Sequence, residues 1–86
     1  MQAELATLKQ LIMDTAKKSP VGEKVEDVEL ESDCDEDGVD FLRVMIRLKN
    51  TDKQDYPALA GLLESIEREV AKRDVRYPSV RFLDAA

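Results

Sequence analysis

The chain has 86 residues, 43% of them hydrophobic and 37% charged, with one cysteine and no histidine. This length predicts one domain over residues 1–86, and no stretch approaches the roughly 18 apolar residues that cross a bilayer. The missing histidine excludes catalytic triads and His-ligated metals, and a lone cysteine excludes an intramolecular disulfide. We therefore expect a cytoplasmic protein that is no enzyme, has no membrane partner and needs no cofactor, with calcium as the one alternative.

The net charge of −6 is unevenly distributed along the chain. Residues 23–40, here called the acidic segment, hold ten acidic residues and one base, whereas the remainder holds nine acids and twelve bases. Nucleic acid is disfavoured as the main partner of such a lobe because phosphate contacts need clustered Lys and Arg. The acidic segment suits a protein partner with a basic surface.

Residues 3–18 are predicted to form an amphipathic helix. Lys17 and Lys18 lie in its last turn, where cations favour the negative end of the helix dipole, and Pro20 with Gly22 ends it. The apolar stripe of this helix, at three- and four-residue spacings, consists of Leu5, Leu8, Ile12 and Ala16.

A period of two over 24–35 and 39–49 predicts two half-buried strands. A three-residue loop over 36–38, with Gly38 in the left-handed region, would join them as a β-hairpin. A shift of one residue would exchange the two faces, so the apolar and charged pattern sets the register. The predicted facing pairs are Leu30 with Val44, Val28 with Ile46, Glu31 with Arg43, and Asp27 with Arg47.

After a loop over 50–54, Asp55 is predicted to cap a second amphipathic helix that ends near Arg73. Pro78 marks a turn or edge position before a short last strand over 79–83. The order α-β-β-α-β predicts an α+β two-layer sandwich, in which the hairpin over 24–49 and the C-terminal strand form a three-stranded sheet with both helices on one face. The order leaves open where the last strand lies within that sheet.

The hairpin turn matches the first half of a calcium-binding loop. The matching residues are Asp33, Asp35, Asp37 and Gly38. Val44 stands where such a loop needs a bidentate Glu, and both flanks alternate as strands, so an acidic hairpin turn is favoured. A weak cation site of Asp33, Asp35, Asp37 and Asp40 remains the alternative.

Cys34 lies on the core-facing side of the first strand and is predicted to be a small core residue rather than a reactive thiol. A three-stranded domain of this size is also expected to offer little room for a ligand cleft of roughly 300–1,000 Å³. Neither feature points to catalysis.

Two surfaces could bind partners. On the outer sheet face, Phe41 and Met45 flank Arg43, and these three predict the interface of a homodimer joined sheet to sheet or edge to edge. Glu36, at the acidic hairpin tip, is the fourth predicted interface residue, and the tip is expected to bind the basic partner. A basic group near the C-terminus suggests an RNA-binding alternative, although interspersed acids favour a solvated helix face. This group comprises Arg68, Lys72, Arg73, Arg76 and Arg81, with Tyr77 nearby.

The leading hypothesis is a non-enzymatic protein–protein interaction or regulatory module. It would be dimeric, and its acidic hairpin would bind a basic partner, as an inhibitor or antitoxin could when covering a basic active site. The calcium-binding module and the RNA-binding accessory domain are the two alternatives.

Overall fold

The structure is a computed structural model that describes residues 2–84. Two helices and three strands follow one another in the predicted order, and the helices pack against the sheet as an α+β sandwich. Short 3₁₀ turns at Gly22–Lys24 and Lys53–Asp55 precede β1 and α2. The elements are α1 Leu5–Lys18, β1 Val25–Cys34, β2 Asp40–Leu48, α2 Tyr56–Ala71 and β3 Tyr77–Asp84.

The sheet is mixed, with strand order β1-β2-β3. β1 pairs with β2 antiparallel, and β3 pairs with β2 in parallel after the crossover through α2. β3 extends beyond the predicted 79–83 at both ends and includes Pro78. A proline without an N–H fits there because β3 is an edge strand.

The predicted hairpin register is confirmed, with Leu30 opposite Val44 and Glu31 opposite Arg43. Gly38 has φ +78°, as the three-residue loop requires. A β-bulge between Val25 and Asp27 was not predicted. The extra residue at the bulge interrupts the alternation of the strand. Val25 is therefore buried on the same face as Val28 although they are three residues apart.

The hydrophobic core lies between the helices and one face of the sheet. Its helical members are Leu8, Ile12, Ala16, Leu62, Ile66 and Val70, and its strand members are Val25, Val28, Leu42, Val44, Ile46 and Leu48. Alternation along β2 buries every second residue from Leu42 to Leu48. Among residues 2–84, no helix covers the opposite face, and neither helix is long and apolar enough to cross a membrane.

The prediction that Cys34 is a core residue is wrong, because its side chain is exposed. The alternation of β1 places Cys34 on the side that faces the core, but Cys34 pairs with Asp40 in the last residue pair before the hairpin loop. The buried and partly buried core residues of the hairpin extend only to Leu30 and Leu42. Alternation identifies the face of a strand but not how far the helices reach along it.

The turns around α1 and α2 depend on specific contacts. Gly22 is buried, and a Cβ there would overlap the carbonyl oxygen of Lys17, so glycine is needed for close approach. Asp55 precedes α2 as predicted, but its side chain makes no hydrogen bond to that helix. Instead, Asp55 accepts hydrogen bonds from the backbone N–H of Asp52 at 3.0 Å and from Lys24 Nζ at 2.7 Å. The pKa of Asp55 is lowered mainly by the Lys24 hydrogen bond.

Candidate interaction surface

The face of the sheet away from the helices is here called the open face. Its residues alternate with the core residues along each strand, because successive side chains of a strand point to opposite sides. It consists of Asp27, Glu29, Glu31 and Asp33 on β1, Phe41, Arg43, Met45 and Arg47 on β2, and Tyr77, Ser79, Arg81 and Leu83 on β3.

The arginines of β2 form ion pairs with carboxylates of β1. Arg43 Nη2 lies 2.6 Å from Asp33 Oδ2, and Arg47 Nη2 lies 3.3 Å from Glu29 Oε1. The sequence predicted pairs with the residues directly opposite, and each arginine instead reaches the diagonal carboxylate two positions along β1, which long side chains can do. The backbone N–H of Cys34 and then Arg43 lower the pKa of Asp33.

An aromatic pair links β2 to β3 at the end of the open face that lies nearest the hairpin loop. The rings of Phe41 and Tyr77 stack with centroids 5.4 Å apart, and the guanidinium carbon of Arg43 lies 5.5 Å from the centroid of Phe41. Phe41, Arg43 and Met45 are half-buried, whereas Tyr77 is 48% exposed. Three of the four predicted interface residues therefore share one surface.

The fourth predicted interface residue, Glu36, lies apart from them in the hairpin loop, where it is exposed with Asp37. The Oδ1 atom of Asp35 accepts hydrogen bonds from the backbone N–H groups of Asp37 and Val39, both at 2.9 Å. Asp35 is thus explained by the turn itself, whereas Glu36 and Asp37 are not needed for it. The proposed interface role of all four residues remains a prediction.

Two of the predicted cation ligands already have partners, since Asp33 pairs with Arg43 and Asp35 closes the turn. Within residues 2–84, no group of three or more His, Cys, Asp or Glu side chains is arranged to hold a metal ion. Asp37 and Asp40 are exposed. The calcium alternative remains a prediction.

Charge on the open face is segregated from one edge to the other. Four carboxylates line β1, while two guanidinium groups lie on β2 and one on β3. Among the described residues, no opposite charge lies within 4.0 Å of Asp27 or Glu31 on β1, or of Arg81 on β3. The face therefore has uncompensated negative charge at one edge and uncompensated positive charge at the other.

A buried ion pair joins Asp74 and Arg76, which the sequence did not predict. The Oδ1 atom of Asp74 accepts from the backbone N–H and Nε of Arg76, both at 2.9 Å, and Oδ2 lies 2.8 Å from Nη2. The pair also binds the N-terminal segment, because the Ala3 N–H donates to Asp74 and Arg76 donates to the Ala3 carbonyl. Arg76 also donates to Ser32 Oγ at 3.1 Å. Hydrogen bonding to Arg76 holds the pKa of Asp74 far below its usual range.

The predicted C-terminal basic group is not one surface. Arg76 is only 8% exposed and is used inside the fold. Arg81 lies on the open face, whereas Arg68 and Lys72 belong to α2 in the other layer, where Lys72 pairs with Glu69 at 2.8 Å. The arginines proposed for RNA binding are therefore dispersed over two layers and the interior.

An open groove of about 700 Å³ lies between α1 and α2, so the expectation of little room for a cleft is wrong. Small residues of α2 leave this space, including Ala58 and Gly61. Its charged lining residues are Asp14, Lys18, Arg68 and Glu69, two acids and two bases. This balance selects neither an anion nor a cation, and the groove lies in the helix layer, away from the open face.

No protein-family model and no curated protein sequence matches the chain. Solved structures do match, among them a point variant of MamM-CTD and a point variant of MamM. Each has a TM-score of 0.52 and 13% sequence identity to this chain. The first match covers 92% of this chain and the second 93%, and each covers 98% of the matched structure. At this identity the likeness shows the α-β-β-α-β fold.

Proposed function

We propose that this domain is a non-enzymatic protein–protein interaction module whose open face and acidic hairpin loop bind protein surfaces. The observation that carries the proposal is the sheet face that no helix within residues 2–84 covers, where half-buried Phe41 and Met45 lie among charged side chains. Apolar and aromatic residues within a polar surround are typical of interfaces. The fold shared with MamM-CTD is compatible with a module of this kind.

The second part of the proposal concerns the hairpin tip, defined here as Glu36, Asp37 and Asp40. All three are exposed, and the turn does not use their carboxylates. A cluster of this charge attracts a basic protein surface and accelerates its association. An inhibitor or antitoxin that covers a basic active site would use the same cluster.

Affinity capture from cell extract, with quantitative mass spectrometry, tests the role of the tip. The variant Glu36→Gln/Asp37→Asn/Asp40→Asn removes three charges and keeps Asp35, which holds the turn. We expect it to lose a captured protein with a basic surface that the unsubstituted domain retains.

The matched control is Asp14→Asn/Glu64→Gln/Glu67→Gln, which removes three charges from exposed positions of the helix layer. This control should retain the captured protein. Identical capture by the tip variant and the unsubstituted domain would refute the role of the tip.

A further inference from the structure

We infer that the partner of the open face is a second copy of this chain. The two open faces would stack on each other about a two-fold axis that runs parallel to β2, midway between the two sheets. This inference rests on the proposed interaction role of the open face and specifies its occupant. It follows from the way charge is distributed across the three strands.

Two face-to-face arrangements have two-fold symmetry. If the axis lies parallel to the sheets and perpendicular to the strands, each strand lies over the same strand of the second copy. The four carboxylates of β1 then lie over the same four carboxylates of the second copy. An axis along β2 reverses the order, so that acidic β1 lies over β3, which carries Arg81. Only the second arrangement brings opposite charges together, and like charges across an interface oppose binding.

The strand register specifies the contacts of this arrangement. Glu29, Met45 and Arg81 lie at the same level of the sheet, and rotation about an axis along the strands keeps that level. Arg81 of one copy therefore meets β1 of the other copy at Glu29, between Asp27 and Glu31. Of the four carboxylates that β1 places on the open face, those two have no ion-pair partner in the described part of the chain.

The same rotation brings the remaining open-face groups into compatible positions. Met45 lies on the axis and meets its own counterpart, forming an apolar centre. Tyr77 lies level with Asp33, so its hydroxyl faces a carboxylate of the second copy. Arg43 and Arg47 keep their intrachain ion pairs, which offsets repulsion between equivalent arginines near the axis.

Dimerisation through sheet edges is disfavoured by the same residues. Two β1 edges would bring acidic strands together, and the bulge between Val25 and Asp27 interrupts the ladder. The β3 edge contains Pro78, which has no N–H to donate. A β1 edge joined to a β3 edge would not close as a two-fold dimer.

The size of the open face predicts a weak dimer. Three strands about 4.8 Å apart and about eight residues long at about 3.3 Å per residue give a footprint of roughly 14 by 26 Å. Such a face buries roughly 1,000 Å² in total, at the low end of specific interfaces, and we expect a dissociation constant that is roughly micromolar or weaker.

Sedimentation velocity of the full chain at low ionic strength, from roughly micromolar to roughly millimolar protein, tests the inference. We expect the mass to rise from 9.7 kDa to twice that value. Arg81→Glu and Glu31→Lys should each weaken dimerisation at least tenfold, because each places like charges across the interface. Circular dichroism would verify that both variants remain folded.

Mixing the two variants is the decisive step. In a mixed dimer, Glu at position 81 of one chain meets Lys at position 31 of the other, and the second contact keeps the original Arg81 and Glu31. The equimolar mixture should therefore dimerise more strongly than either variant alone. The control pair Lys9→Glu and Glu64→Lys, at exposed helix positions with the same charge changes, should each dimerise like the unsubstituted chain.

A chain that stays at 9.7 kDa near millimolar concentration, or a mixture that gains nothing, would overturn the inference. A monomer that still loses its captured protein on neutralisation of the hairpin tip would leave the proposed function standing. A dimer whose capture is unaffected by the tip variant would support the second copy and refute the basic partner.

Discussion

Replacing Asp74 with alanine tests the buried ion pair that joins the N-terminal segment to the connection between α2 and β3. The Asp74 side chain is fully buried and accepts four hydrogen bonds, three from Arg76 and one from the Ala3 N–H. Its removal would leave the buried guanidinium of Arg76 with only Ser32 and the Ala3 carbonyl. Leaving one partner of a buried pair uncompensated costs about 3–5 kcal/mol.

That loss is large for a domain of this size. A chain of 86 residues has a total unfolding free energy of about 4–13 kcal/mol, at about 0.05–0.15 kcal/mol per residue. Urea denaturation at pH 7, followed by circular dichroism, should show a midpoint far below that of the unsubstituted protein. A change under about 1 kcal/mol would refute the reasoning, because it is far below the cost of an uncompensated buried charge.

The pH dependence gives a second measure of the same pair. The Arg76 hydrogen bond lowers the pKa of Asp74 in the folded state, so the unfolded chain binds the proton more readily. The stability due to this group is fully present above pH about 4, the pKa of an unfolded Asp, and is lost as the pH falls toward the folded value. The gap in stability between the unsubstituted protein and Asp74→Asn should therefore shrink below pH 4. The control Glu69→Gln removes a surface carboxylate paired with Lys72 and should leave the midpoint nearly unchanged.

Four further outcomes are expected. In thermal unfolding, Gly22→Ala should destabilise the fold by about 1–3 kcal/mol or more, because the new Cβ meets the backbone of Lys17. By contrast, Gly61→Ala should stabilise the fold by about 0.5–1 kcal/mol, because Gly61 lies within α2 with open space around it. Asp35→Ala should loosen the hairpin loop and speed amide exchange at Val39, whose N–H loses its acceptor, and unchanged exchange would count against that role. Calorimetry with millimolar calcium should show no saturable heat, because Asp35 is engaged in the turn and Asp33 is paired with Arg43. A saturable heat would instead support the cation site.

The hairpin register could be predicted because its determinants lie close together in sequence. The alternation of apolar residues, the requirement for Gly38 and the facing charges of Glu31 and Arg43 all specify the same pairing. The bulge could not be predicted from the alternation. The regular pattern of β1 places Val25 on the outer face with Asp27 and Glu29, and only its observed burial shows that the pattern is interrupted. Local patterns thus determine pairing but not its interruptions.

The buried ion pair could not be predicted for a different reason. Asp74 and Arg76 resemble surface charges next to an amphipathic helix, and their burial depends on Ala3 and Ser32, which lie 73 and 44 residues from Arg76. The Asp-x-Arg spacing is compatible with a local hydrogen bond but does not indicate burial. The same limit applies to Arg81, whose place on the open face became evident only when β3 was found beside β2.

Eight of the ten acidic residues in the acidic segment fall into three groups. Glu29, Asp33 and Asp35 already have arginine or backbone partners. Asp27 and Glu31 lie unpaired on the open face, where a second copy could compensate them with Arg81. Of the hairpin tip, Glu36 and Asp37 lie in the loop and Asp40 lies in the last residue pair of the hairpin, outside the open face. Dimerisation through the open face would therefore leave their carboxylates exposed. We therefore assign the two remaining groups to separate surfaces, and we expect that neutralising the tip reduces partner capture without weakening the dimer.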